Sequence, residues 1–187
     1  MKTRCKRLWI VASVTTVLGS VGAGLVLFWI HTTCDQPYSR VEAGLYIGSS
    51  VDRPPRGTQA VVNLCGRPDP YQVGPSLWAP IYEAGPGVAE KKPTLDLLRQ
   101  VVGFIDEQRR AGRTTYVHCM VGMNRSGAVV TAYLMQEHGM GRDEALAFLQ
   151  HRRPEVQPDP TLLQLLAEWE HVLKAKPGAA PDHGGSK

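Results

Sequence analysis

Residues 1–30 contain no acidic side chain, although the chain of 187 residues carries 17 Asp and Glu against 21 Lys and Arg. Lys2, Arg4, Lys6 and Arg7 account for four of the basic residues, which leaves 17 of each sign in 31–187. The formal net charge of +4 thus belongs to the N-terminus. A nucleic-acid-binding domain carries its basic surplus on the fold itself, so no nucleic-acid partner is expected. Cysteine is scarce too. Cys5, Cys34, Cys65 and Cys119 have spacings that fit neither a metal knuckle nor a disulfide-dense scaffold, and they permit one or two bridges at most. His31, His138, His151, His171 and His183 show no ligand spacing and are expected at the surface. No metal or other cofactor is expected. Internal repeats are absent, which excludes a solenoid. What remains is a chain 43% hydrophobic and 20% charged, globular in composition and long enough for one domain with a core.

The N-terminus holds the one long apolar run. From Leu8 to Ile30, "LWIVASVTTVLGSVGAGLVLFWI" has 23 residues and no charge. At about 1.5 Å per residue it is long enough to cross a hydrocarbon layer about 30 Å thick. Trp9 and Trp29 suit the two interfaces. A cleaved signal peptide is the alternative, because a small-residue pattern ends at Ala23. Cleavage there would leave the apolar stretch Gly24–Ile30 as a new terminus, which favours an uncleaved single-pass anchor. With four cations ahead of the span, the positive-inside rule places the N-terminus in the cytoplasm.

Residues 1–30 are therefore read as basic terminus and anchor, 31–37 as a linker, 38–174 as the folded domain and 175–187 as a disordered Gly/Pro-rich tail. Within the domain, "GLYIGS" (44–49), "AVVNLC" (60–65), "SLWAPIY" (76–82, interrupted near Pro80) and "TTYVH" (114–118) read as strands. Leu95, Leu98, Val102 and Ile105 recur at helical spacing, with Thr94 as cap and Gly112 as stop. Further helices are predicted over 128–138, ended by Gly139, and over 141–153, stopped by Pro154. The last has Asp159 as cap and Pro160 at its first position and runs to about Lys174. Strands alternating with helices predict an α/β domain: three layers, with a mainly parallel sheet of four to five strands flanked by helices.

The chemistry concentrates in "YVHCMVGMNRSG", Tyr116 to Gly127. A strand that runs through a short loop into a helix puts the loop at the carboxyl edge of the sheet, where ligands bind in such folds. The helix starting near Arg125 aims its unpaired N–H groups and positive dipole end at the loop. No proline interrupts the N–H groups from Met120 to Arg125, and Gly122 permits tight curvature. Backbone donors of Met120, Val121, Gly122, Met123, Asn124 and Arg125 can therefore wrap a tetrahedral oxyanion. Arg125 adds a planar fork matched to two phosphate oxygens. Donors that hold an anion also stabilise a thiolate, so Cys119 is expected to have a depressed pKa and to attack phosphorus. Ser126 can bond the sulfur and help it leave. His118 is better placed to orient the loop than to act as a base.

His118, Cys119, Gly122, Arg125 and Ser126 match His-Cys-x2-Gly-x2-Arg-[Ser/Thr], and on these residues the sequence resembles the dual-specificity phosphatases within the cysteine-dependent protein tyrosine phosphatases. The resemblance extends along 38–172 through "VEAGLYIGS", "AVVNLC" and "AVVTAYLMQEHGMGRDEALAFLQHRRPEVQPDP". It implies Cys119 as nucleophile, Arg125 as transition-state clamp, a phosphorylated protein as substrate, and a monomer. It also implies a carboxylic acid that protonates the leaving oxygen. Register with the family's Pro-x-x-Asp loop puts Glu83 there where the family has Asp, with Glu90 as fallback and Asp96 disfavoured by its helix. Cys65 resembles a cysteine of tensin-like lipid phosphatases that can bridge the nucleophile, which implies a redox partnership with Cys119. The string around Asn124 also resembles RNA 5′-triphosphatases. The alternatives are thus a lipid or RNA 5′-phosphatase of the same superfamily, or a pseudophosphatase that binds phosphate without hydrolysis. Met120, Val121 and Met123 bring no cation to the loop, which disfavours a highly charged headgroup.

Overall fold

The structure is a computed structural model, and it describes residues 36–81 and 93–175. Five strands form one mixed sheet in the order β1-β2-β5-β3-β4. They are β1 (Tyr38–Glu42), β2 (Leu45–Ser49), β3 (Ala60–Asn63), β4 (Ser76–Trp78) and β5 (Thr115–Cys119). β1 pairs antiparallel with β2, and every other pairing is parallel. The expected single strand within "VEAGLYIGS" is instead the end of one strand, a two-residue turn and a second strand. Gly44 makes that turn possible, at φ 72°, a left-handed conformation open mainly to glycine. β4 stops at Trp78, short of the expected Tyr82, and Pro80 follows two residues on.

Four helices are described: α1 (Leu95–Arg110), α2 (Arg125–His138), α3 (Arg142–Arg152) and α4 (Pro160–Ala175). Thr94 caps α1, its hydroxyl accepting the Leu97 N–H at 3.2 Å, and Gly112 follows its end at φ 72°. Asp159 caps α4 by accepting the Leu162 N–H at 2.9 Å, ahead of Pro160 at the first helical position. Gly139 closes α2 in the left-handed region. α2 is buried continuously from Ser126 to Met135, as befits a helix that is apolar on every side. It packs against β2 and β5 and against the other three helices.

One hydrophobic cluster joins Val41, Leu45, Ile47, Val62, Val117 and Cys119 of the sheet to residues of all four helices. The described helices thus gather on one face of the sheet instead of dividing between two. The other face carries Tyr116 and His118, stacked at 5.2 Å between ring centroids, and the β3–β4 loop reaches it through Asp69. Among the described residues no helix is long and apolar enough to cross a membrane. The anchor reading of 8–30 lies outside those residues, as does the tail beyond Ala175.

Candidate active site

β5 lies between β2 and β3, with all three parallel. The loop it feeds therefore emerges at the centre of the carboxyl edge. Residues 120–124 turn the chain from β5 into α2, and Gly122 makes the turn with φ 77°. A Cβ there would also run into the backbone of Gly48 and Ser49. Both constraints demand glycine.

The carbonyls of residues 120–123 are all held from outside the loop. Ser50 N–H donates to Met120 O at 3.4 Å and Gln157 N–H to Met123 O at 3.1 Å. The Arg153 guanidinium donates through Nε to Gly122 O at 2.8 Å and through Nη2 to Val121 O at 3.3 Å. With their carbonyls drawn away, the amides can turn inward. Gly122 N–H donates to Cys119 Sγ at 3.3 Å, and Ser126 Oγ lies 3.3 Å from the same sulfur. Cys119 is 2% exposed. Burial alone would push its thiol up, but the Ser126 hydroxyl and the amides of Ser126, Gly122 and Val121 outweigh it. The net pKa is below the ordinary value.

Arg125 opens α2, and its Nη1 donates to Ile81 O at 2.8 Å and Leu64 O at 3.3 Å. The chain just beyond β3 and β4 thus fixes where its guanidinium sits. His118 alternates with Cys119 along β5, so its ring lies on the opposite face of the sheet. There its Nε2 donates to Asp69, 3.1 Å from Oδ1 and 3.3 Å from Oδ2. This places His118 as a fully buried support behind the loop rather than a group above the sulfur. Cys65 is buried near both residues, its Sγ 4.0 Å from His118 Nδ1. Cys65 and Cys119 are both free thiols. Burial and then the Cys119 charge push the Cys65 thiol up.

Glu83 and Glu90 lie outside the described residues. Asp96 sits in the first turn of α1, exposed and paired with Arg99 at 2.7 Å. It forms a surface ion pair. His138, His151 and His171 are exposed, as expected. The sequence reading missed Arg153, Asp69 and Asp159 as supports of the loop. One signal was available for Arg153, because Pro154 forces the preceding residue into extended geometry (φ −140°, ψ 86°) and turns it off the helix.

This geometry agrees with the comparisons to known proteins. Residues 75–172, over half the chain, match the family described as dual specificity phosphatase, catalytic domain. The chain belongs to that family. It is 37% identical over 78 residues to the dual specificity protein phosphatase Mpk3 of Drosophila melanogaster, covering 42% of this chain and 19% of that protein. With human dual specificity protein phosphatase 8 it shares 30% identity over 155 residues, 78% of this chain and 24% of the other. The chain thus spans a quarter or less of these relatives. Among solved structures, a mouse putative dual specificity phosphatase complexed with zinc tungstate superposes with a TM-score of 0.65 at 27% identity, covering 74% of this chain and 89% of that one.

Proposed function

We propose that the chain is a phosphatase that hydrolyses phosphomonoesters through a phosphocysteine, acting on phosphotyrosine and/or phosphoserine/threonine in proteins. One observation carries the reading: Cys119 lies at the floor of a loop whose inward donors hold its thiol below the usual range. In the first step the Cys119 thiolate attacks phosphorus, an S–P bond forms and the ester P–O bond breaks. The leaving oxygen takes a proton, for which Glu83 is the proposed donor. Water then attacks the phosphocysteine, phosphate departs, and Cys119 leaves as a thiolate stabilised by Ser126. The Arg125 guanidinium offers the transferring group its planar pair of donors in both steps.

The substrate reading rests on the mouth of the loop. Trp78, Met120 and Val121 are the exposed large hydrophobic residues among those described. Trp78 Nε1 donates to Cys65 O at 2.8 Å, and Arg67 Nη2 reaches Met120 Sδ at 3.8 Å. Among the described residues the rim is therefore apolar, with the Arg67 guanidinium set against Met120. That suits a single phosphoryl group on a protein side chain better than a polyphosphorylated headgroup. The same proposal assigns 38–174 as the catalytic domain, monomeric, and 8–30 as a single-pass anchor with the N-terminus cytoplasmic. Release of the full chain from membranes by alkaline carbonate would remove the anchor. Digestion of the domain by protease added only on the cytoplasmic side would reverse its orientation.

The decisive assay measures phosphate release by the full-length protein from an aryl phosphate, a phosphotyrosine peptide and a phosphothreonine peptide. Cys119→Ser is expected to lose about 10³-fold or more on all three. Glu83→Gln should lose about 10²-fold on the phosphothreonine peptide and less on the aryl phosphate, whose leaving group needs little protonation. Parent-level turnover by Cys119→Ser would refute the phosphocysteine. Equal turnover of the threonine ester by Glu83→Gln would remove that residue from the mechanism.

A further inference from the structure

The loop's outer surface is gripped one residue at a time by the connection between α3 and α4. Arg153 takes the carbonyls of Val121 and Gly122, and Gln157 N–H takes that of Met123. At the next position the grip passes to side chains. Asn124 Nδ2 donates to Asp159 Oδ2 at 2.8 Å, while Asn124 Oδ1 accepts the Asp159 N–H at 2.8 Å. The other Asp159 oxygen is taken by the Leu162 N–H at the start of α4. Arg153 also donates through Nη1 to Ser39 Oγ in β1 at 3.3 Å, tying the same connection to the sheet edge.

We propose that residues 153–159 form a clasp that sets the shape of the anion-binding loop, with Asp159 a positioning residue acting through Asn124. This rests on the phosphatase reading of the loop but concerns residues outside its Cys-to-Arg motif. The polarity of the pair has a physical reason. Asn124 supplies a donor to the carboxylate and an acceptor to the amide, so neither end is left wanting. A carboxylate at 124 would face the Asp159 oxygen and would put negative charge in a loop built to hold an anion. The arrangement present keeps the charge on the helix side, where the α4 dipole stabilises it. Each clasp contact pulls the loop backbone outward, and the inward amides follow. A loss at 159 should therefore be felt at the sulfur of residue 119, although Asp159 has no part in the chemistry.

The test separates the cap from the clasp. Asp159→Ser retains an N-cap hydroxyl for α4 but is too short to reach Asn124. Asn124→Ala breaks the link from the other side. In the full-length protein, orthovanadate affinity and the pH midpoint of Cys119 alkylation by iodoacetate are measured for each variant and for the double variant. Each single change is expected to weaken vanadate binding about tenfold and to raise the alkylation midpoint. The double should be no worse than the weaker-binding single, since both remove one link. Parent-like vanadate affinity and midpoint in Asp159→Ser would overturn the proposal, as would a double variant that loses the product of the two single effects. If Asp159→Ser does not fold, parent-like values for Asn124→Ala overturn it equally. Failure of the parent itself to bind vanadate would instead sink the phosphatase reading.

Discussion

Two neighbouring parallel strands end at the same edge of the sheet, with a buried cysteine at the end of one and just beyond the end of the other. Cys119 ends β5 and is 2% exposed, while Cys65 lies two residues beyond β3 and is 1% exposed. Their acidities nevertheless move in opposite directions, down for Cys119 and up for Cys65. Burial penalises both thiolates, so burial cannot be what separates them. The difference is where the backbone dipoles point. After β5, the amides of Val121, Gly122 and Ser126 converge on the sulfur. After β3, the Cys65 N–H is spent on Asn63 Oδ1 at 2.7 Å and its carbonyl on the Trp78 indole. A thiol in a pocket becomes a nucleophile only where hydrogen bonds to the charged form outweigh desolvation.

The largest effect that can break this comparison is selective alkylation. Iodoacetate added near pH 6.5, followed by peptide mapping, should carboxymethylate Cys119 more than about tenfold faster than Cys65. The sign follows from thiolate population. A thiol whose pKa is lowered holds a larger thiolate fraction at any given pH than one whose pKa is raised. For the same reason Cys119 should make the fold more stable as pH rises between its depressed native value and 9.0, because the unfolded chain holds a proton the native one has lost. Equal alkylation rates would show that the inward amides do not govern the sulfur.

How much of this was readable beforehand depended on whether the cause is local. The spacing His118–Cys119–Gly122–Arg125–Ser126 placed the loop, and Thr94, Gly139 and the Asp159–Pro160 pair marked helix ends, because caps and turns act within three or four residues. β1 escaped notice, since in "YSRVE" only Val41 is fully buried and an edge strand shows little alternation. Asp69 and Arg153 escaped for a different reason. The first meets His118 across 49 positions and the second meets Gly122 across 31, and no short pattern encodes such partners. The layer arrangement was likewise not local. Four amphipathic or apolar helices are visible in the sequence, but the side of the sheet each takes is decided by packing.

The smallest effect concerns Cys65 itself. Its thiol stays protonated near neutral pH, so it adds no charge beside Cys119, and nothing holds Cys119 down through it: the groups that lower Cys119 are Ser126, Gly122 and Val121. Cys65→Ser should accordingly leave the Cys119 alkylation profile within about twofold at any pH. A second readout separates that silence from the proposed redox partnership. Peroxide converts the Cys119 thiolate to a sulfenic acid, and the Cys65 thiol can displace water from it to give a disulfide that thiols reduce. The parent should therefore recover reactivity at Cys119 after peroxide and then dithiothreitol. Cys65→Ser should recover less, as further oxidation proceeds unopposed. Recovery equal to the parent's would leave Cys65 as a buried apolar filler, its nearness to the nucleophile a consequence of packing between β3 and β5 alone.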